Sequence, residues 1–584
     1  MSDYSATFPT QRPVFSQDFA QSGKIDPRAT FTRASTANVF DGAKHLSSEN
    51  LIDYSSDISQ SSWTKDGVTE TGGQTAPDGG TDAYKLTENS ATSHHRIYKL
   101  ISTDSGAITV SAYLKYIGRQ WVRFRLTNSS GQDRFVWFDI QNGVVGTAQS
   151  GYSNVSITAS GNGFYKASAT LSSSVASGGG HHLVIAGGGA DNSSSTYAGS
   201  GADSFAVWGI QVSSTGETVL NETSGSIHRE YASSLVSKAN NIGRFEVGVD
   251  GQSEGILIES QSTNLATYGS DLTNAAWNPL SAFIGGTAVG PDGTLSAVKL
   301  VASAGSSLYP RFRRLSFLTD TTQTFSIYVK PLEFQHLIIS ADGSASCIVQ
   351  YNLSGSGAIT SATGATGAVE QCGNGWFRVS FSYTTVPNAH LAITMQSSTT
   401  YQTETGNGYD GMLFALAQLE NQSFASSFIG TTSSTATRAA DSLSVVDSSL
   451  FDNGSGALAA EYDMFAASET SYLLHIEKSS GGTNGGGILV TNRYLGVENN
   501  YLDLNNTTSN AFHKVAASWE TGSQKMSRDG GAASEDTSTV LPSGTDKLFI
   551  GVRQDGGEPV NGHIKRLAIY SEPLSSTNLQ ALTS

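Results

Sequence analysis

Asn50-Leu51-Ile52-Asp53-Tyr54-Ser55-Ser56-Asp57, running on to Ser62-Trp63, returns later in the chain as Asn264-Leu265-Ala266-Thr267-Tyr268-Gly269-Ser270-Asp271 and Ala276-Trp277. The two tryptophans are 214 positions apart (277 − 63), and the same offset carries Pro77-Asp78-Gly79 onto Pro291-Asp292-Gly293 and Lys85-Leu86 onto Lys299-Leu300. Beyond these the copies drift by small insertions, as surface loops allow. Ser111-Ala112-Tyr113-Leu114-Lys115 answers to Ser326-Ile327-Tyr328-Val329-Lys330, and Gly161-Asn162-Gly163-Phe164-Tyr165-Lys166 to Gly373-Asn374-Gly375-Trp376-Phe377-Arg378. Each copy is a domain of roughly 180 residues, long enough to bury its own core and expected to fold by itself.

Composition narrows the class. Of 584 residues only 14% are charged, while Gly numbers 63 and Pro 12. A chain poor in helix formers and rich in turn and strand residues is expected to be mostly β. The net charge of −16 comes without any run of Lys or Arg, which argues against nucleic acid as a partner. No apolar run approaches membrane length, and Met1-Ser2-Asp3-Tyr4 does not open a cleaved export signal. Two cysteines, Cys347 and Cys372, are too few for a disulfide framework and read as free thiols. His94-His95 and His181-His182 are adjacent pairs, which on a strand point to opposite faces and form no chelate, so neither metal nor cofactor is expected.

In chain order, residues 1–49 read as an extended arm without a core that docks on something else. Residues 50–212 form the first copy, 213–263 a linker with short strands, 264–429 the second copy and 430–444 a Ser/Thr-rich connector. In the first copy Ile108 to Tyr116, Trp121 to Leu126 and Arg134 to Ile140 alternate, with Asn128-Ser129-Ser130-Gly131-Gln132 closing a hairpin. Short strands with polar turns and no intervening helices indicate a jelly-roll β-sandwich. In the linker, Glu254-Gly255-Ile256-Leu257-Ile258-Glu259 reads as a strand entering the second copy. Residues 445–584 have a different strand pattern, ending in a short helix over Pro573 to Leu582 with Ser575 as cap and Leu579 and Leu582 facing inward.

Asn264-Leu265 with Trp277, Pro291-Asp292-Gly293, Gly373 to Arg378 and Thr437-Arg438-Ala439-Ala440-Asp441, in that order, resemble the repeated domain of tailed-bacteriophage structural proteins such as head-spike and tail fibres. Phe31-Thr32-Arg33-Ala34-Ser35-Thr36-Ala37 and Gly255 to Glu259 are similar to recurring pieces of the same proteins. That fold resembles carbohydrate-binding-module jelly rolls. The last unit, through Phe512 to Trp519, Arg528-Asp529-Gly530 and Gly562 to Tyr570, resembles a concanavalin-A-like, laminin-G-type sandwich. The resemblance implies an all-β fold of two tandem jelly rolls, a concanavalin-A-like sandwich and an N-terminal arm. It implies a non-enzymatic virion appendage or capsid decoration, assembled in the host cytoplasm. Its partners would be capsid or tail proteins reached through the arm, host surface glycans, and further copies in a homo-oligomer such as a trimer. It carries over no catalytic residue.

The candidate binding residues lie on the first-copy hairpin. Val122, Phe124, Leu126, Val136, Phe138 and Ile140 share the aliphatic face, leaving Trp121, Arg123, Arg125, Phe135, Trp137 and Asp139 on the other. Aromatic planes beside Arg and Asp suit a sugar, whose C–H faces stack on rings while its hydroxyls hydrogen-bond. The alternative is a face buried against a neighbouring subunit or domain. The second copy lacks the set: Trp121, Arg123 and Arg125 become His336, Ile338 and Ser340, and Trp137 becomes Gln350. Trp63, Trp277, Phe164-Tyr165 and Trp376-Phe377 recur in both copies and read as packing residues. Enzyme signals are thin. Gly269-Ser270-Asp271 becomes Ser55-Ser56-Asp57 in the other copy, and Gly481 to Gly487 lacks the Lys-Ser/Thr of a phosphate loop and reads as a hairpin tip. A polysaccharide-degrading tailspike is the rival reading; its usual short-period β-helix repeat is not visible.

Overall fold

The computed structural model describes residues 11–101, 106–174, 182–194, 196–315, 317–341, 345–386, 389–447, 450, 454–465, 471–477, 488–492, 494–497, 500–503, 511–542, 545, 547–554 and 556–584. The first ten residues, His181 and Gly481 to Gly487 lie outside the described residues. Within them the chain is almost wholly antiparallel β, and no helix is long and apolar enough to cross a membrane.

Each copy is a sandwich of two six-stranded sheets. In the first, one sheet runs Val144–Ala148, Asp133–Asp139, Trp121–Thr127, His182–Gly188, Arg96–Leu100, Thr64–Asp66. The other runs Tyr152–Ala159, Tyr165–Ser174, Gly106–Tyr116, Asp203–Ser213, Ala83–Glu88, Val68–Gln74. The second copy reproduces both orders strand for strand, from Ala358–Thr363 to Asn278–Leu280 and from Thr366–Gln371 to Ala282–Ala288. The inward-facing residues of alternating strands, among them Leu114, Val122, Phe124, Phe138 and Ile185, form one core between the sheets.

The repeated motif closes each sandwich. The Asn50 amide donates to the Ile210 and Asn221 carbonyls and accepts from the Val212 N–H, while that of Asn264 donates to Ala417 and Ile429 and accepts from Leu419 N–H. The Trp63 and Trp277 indoles donate to the carbonyls of Tyr54 and Tyr268, at 3.1 and 2.9 Å. Both tyrosines hold positive φ, 52° and 57°, so the same tight bend is built twice. Asp57 braces this bend: burial works to raise its carboxyl, but hydrogen bonds from Ser59, Gln60 and Tyr84 prevail and hold it at about 2.

Two expectations need correction. Residues 15–49 are not an arm without a core. Phe15–Asp18 pairs with Gly562–Tyr570, and Ala29–Thr32 pairs with Ser442–Val446, so this segment supplies an edge to each sheet of the C-terminal sandwich. Phe15, Phe19 and Phe31 are buried in that sandwich's core. Ala37–Asn50 forms a ribbon with His228–Lys238. Second, Ser253–Ile258 does not enter the second copy; it pairs with Gly562–Tyr570, and Arg244–Val247 follows it outward as the next strand. The C-terminal sandwich is therefore discontinuous, drawing on residues 15–32, 244–258 and 442–584. The two copies also touch. Tyr113, Phe164 and Trp208 of the first pack on Tyr409 of the second, and Lys166 donates to the Gly285 carbonyl at 3.0 Å. Phe164 and Trp376, equivalent in the repeat, are buried, but in these outer contacts rather than between the sheets. The closing helix Ser576–Thr583 is capped by Ser575 as read from sequence, with Leu579 and Leu582 buried.

The resemblance motifs at Arg33, Glu259 and Arg438 to Asp441 come together where arm, linker and C-terminal sandwich meet. Asp441 accepts from Arg33 at 3.1 Å, from Arg244 and from the Glu259 N–H; Glu259 accepts from Arg244 at 2.6 Å and lies 3.5 Å from Arg438. All these charged side chains are at most 1% exposed.

Candidate functional site

The strands Trp121–Thr127 and Asp133–Asp139 pair with Arg123 opposite Trp137, Arg125 opposite Phe135 and Trp121 opposite Asp139, so the expected residues do share the outer face. Their burial differs from an open platform. Trp137 is 1% exposed and Arg123 4%, while Trp121, Arg125 and Phe135 are half-buried. The cover over Trp137 comes from the chain itself: its ring lies on Gly188, where an added Cβ would fall 2.2 Å from the indole, with Ser193 of the following loop beside it. That loop is pinned by Asp191, which accepts from the N–H and hydroxyl of Thr147, both at 2.9 Å. Gly146 allows Trp121 to lie flat in the same way.

The next two strands extend the face. Their register sets Arg96 beside Ala186, which is beside Arg123, and Tyr98 beside Val184, which is beside Arg125. Arg119, just before the hairpin, stacks 4.5 Å from the Tyr197 ring and forks onto Glu88. Glu88 also accepts from Tyr197, Ser200 and Ser204; burial works to raise its carboxyl, but these bonds prevail and bring it to about 2.

Three of the four guanidinium groups here are neutralised within the chain, Arg96 by Asp66, Arg119 by Glu88 and Arg125 by Asp133. Among the described residues Arg123 has no carboxylate partner. Its guanidinium sits 4.9 Å from the Phe135 ring centre and 5.0 Å from that of Trp137, and its buried Nε lacks an acceptor. Burial, with Arg125 and Arg96 close by, lowers it to about 10. Sequence reading missed Arg96, Tyr98, Arg119, Glu88 and Tyr197. Arg96 and Tyr98 were visible as the outward positions of an alternating strand, whereas nothing local announced the reach of Tyr197.

A second concavity, of 1390 Å³, lies between the second copy, the Ala37–Asn50 ribbon and the C-terminal sandwich. On its wall the His563 imidazole is held between Asp463 (3.0 Å) and Glu246 (2.8 Å), and despite burial these two carboxylates raise it well above an ordinary histidine. Glu370, exposed to solvent, also lines it. Cys347 and Cys372 are free thiols. Among the described residues no group of three or more His, Cys, Asp and Glu is placed to hold a metal ion.

Residues 441–580 match the family model of the concanavalin A-like lectin/glucanases superfamily. No curated protein matches the chain. Among solved structures, the carbohydrate-binding module CBM40 of Ruminococcus gnavus IT-sialidase, bound to α2,3 sialyllactose, is similar at 18% identity and TM-score 0.20, over 22% of this chain and 83% of that one. The CBM22-1–CBM22-2 tandem of Paenibacillus barcinonensis Xyn10C aligns at 11% identity and TM-score 0.18, over 65% of this chain and all (100%) of that one. The LG1-3 region of the laminin α2 chain aligns at 11% and 0.17, over 82% and 96%. Each is a weak overall superposition. The family match and the paired sheets make the C-terminal unit a concanavalin-A-like β-sandwich.

Proposed function

We propose that this chain is a non-enzymatic bacteriophage structural protein, a head or tail fibre or capsid decoration, whose first jelly roll offers its outer hairpin face to host surface glycans. The observation that carries the binding reading is the asymmetry between the copies. The same strands in the same order bear Trp121, Arg123, Arg125, Phe135 and Trp137 in one copy and His336, Ile338, Ser340 and Gln350 at the matching positions of the other. The virion assignment rests on the motif resemblance. With residues 15–50 taken up inside the chain, attachment to the particle would fall to other surfaces. Host polysaccharides arrayed against the full chain test the site: binding that Trp121→Ala and Phe135→Ala both abolish supports it, and binding unchanged by either removes it. Antibody labelling of purified virions tests the location.

Hydrolysis of host polysaccharide is favoured by one observation, the interdomain cavity whose lining includes Glu370 among several carboxylates. Release of reducing ends that Glu370→Gln abolishes would establish it.

A further inference from the structure

We propose that the sugar bound on the first-copy face carries a carboxylate, and that Arg123 is the residue that receives it. This rests on the glycan-binding reading above. An arginine only 4% exposed is normally matched by an anion, because an unpaired buried charge is costly. Among the described residues the matching is complete for Arg96, Arg119 and Arg125 and missing for Arg123: Asp66, Glu88 and Asp133 are each committed to another arginine. The carboxylates at the Trp121 end are also engaged, Asp139 by Gln120 and Asn142 and Asp191 by Thr147. Phe135 and Trp137 hold the guanidinium in place without neutralising it, so it is ordered before any ligand arrives. Only its Nε is both sealed from solvent and without an acceptor, leaving the terminal nitrogens as the donors for an incoming anion.

The rest of the face fits a sugar around that anion. A carboxylate meeting guanidinium nitrogens makes charge-assisted bonds that a neutral sugar cannot. Half-buried Trp121 and Phe135 offer rings to its C–H faces, and Asp191 retains acceptor capacity for its hydroxyls. The overall charge of −16 works against general attraction of polyanions, so affinity for an acidic sugar would come from this place and not from the protein's field. In the second copy Ile338 stands where Arg123 does, and no such affinity is expected there.

The experiment titrates the full chain with polygalacturonate, polysialic acid, carboxyl-reduced polygalacturonate and dextran sulfate. At least one carboxylated polymer is expected to bind more tightly than the neutral and sulfated ones, and the matching free acidic sugar, but not galactose, to compete. Arg123→Met is expected to weaken that binding by about 10- to 100-fold, with a melting temperature unchanged or raised because an unpaired buried charge has gone. Equal binding of the carboxyl-reduced polymer would overturn the inference while leaving a glycan site. Equal or tighter binding of dextran sulfate, or full binding by Arg123→Met, would also overturn it. Failure of every polymer would remove the glycan reading itself. Competition on the unaltered chain separates these outcomes even if the variant does not fold.

Discussion

Asp441→Asn is the sharpest test of how the chain is held together. The side chain is fully buried and accepts from Arg33 at 3.1 Å, from Arg244 and from the Glu259 N–H at 3.0 Å. The amide keeps the shape and removes the charge, leaving Arg33, itself 0% exposed, with no carboxylate and Arg244 with Glu259 alone. Breaking a buried pair on one side costs about 3–5 kcal/mol, a large part of the 5–15 kcal/mol typical of a domain. For a unit of 150–250 residues that is a fall in melting temperature of roughly 6–20 °C. Because Asp441 touches the arm, the linker and the C-terminal sandwich together, calorimetry should show the sandwich transition moving, and Trp519 fluorescence in urea should follow it. Arg28→Ala serves as control: its pair with Asp26 leaves the arginine 45% exposed, and a change below about 1 kcal/mol is expected. A loss under 1 kcal/mol for Asp441→Asn would refute the view that this network organises the junction.

Glu88, held at about 2 against an ordinary 4.5, contributes stability that is complete above pH 4.5 and lost as pH falls towards 2, about 3 kcal/mol in all; Glu88→Gln should flatten the acid limb of the first copy's stability profile. His563 has the opposite sign. Its raised pKa gives stability fully present below about pH 6.5 and lost as pH climbs through the folded-state value, so the deficit of His563→Gln should shrink under alkaline conditions. Trp137→Ala should cost roughly 3–5 kcal/mol, because the ring is packed under the chain's own loop, while Gln350→Ala, half-buried, should cost far less; equal costs would refute the burial argument. Both cysteines are buried and burial raises their thiols, so alkylation should await unfolding.

The legible part of the fold was the part written locally. Asn50, Trp63 and their partners at 264 and 277 repeat because each makes the same short-range bonds, and alternation in Trp121 to Ile140 gave the correct faces. Strand partners were not legible, since alternation names a face and not the strand beside it. Phe15 meets Ile569, and Ile256 meets Ile564, across separations no local pattern encodes. The site was half legible for the same reason. Arg123 and Trp137 could be placed on one face, but the loop that seals Trp137 is polar and Gly-rich, and its message was the missing side chain at Gly188.

The pairing of Phe15–Asp18 with Gly562–Tyr570 also sets an order of events during synthesis. The first copy has every strand it needs once residue 213 has emerged, but the last sandwich stays incomplete until residue 569 can reach residue 15, 554 positions (569 − 15) upstream. At cellular translation speeds that wait is roughly 30–110 s. Throughout it Phe15 and Phe19, joined later by Ile256 and Ile258, lack the strand that completes their core, so a ribosome that stalls before residue 562 leaves a nascent chain with two finished domains and a set of sticky strands. Such a chain is a substrate for chaperones and proteases, and full-length product is favoured wherever those are active.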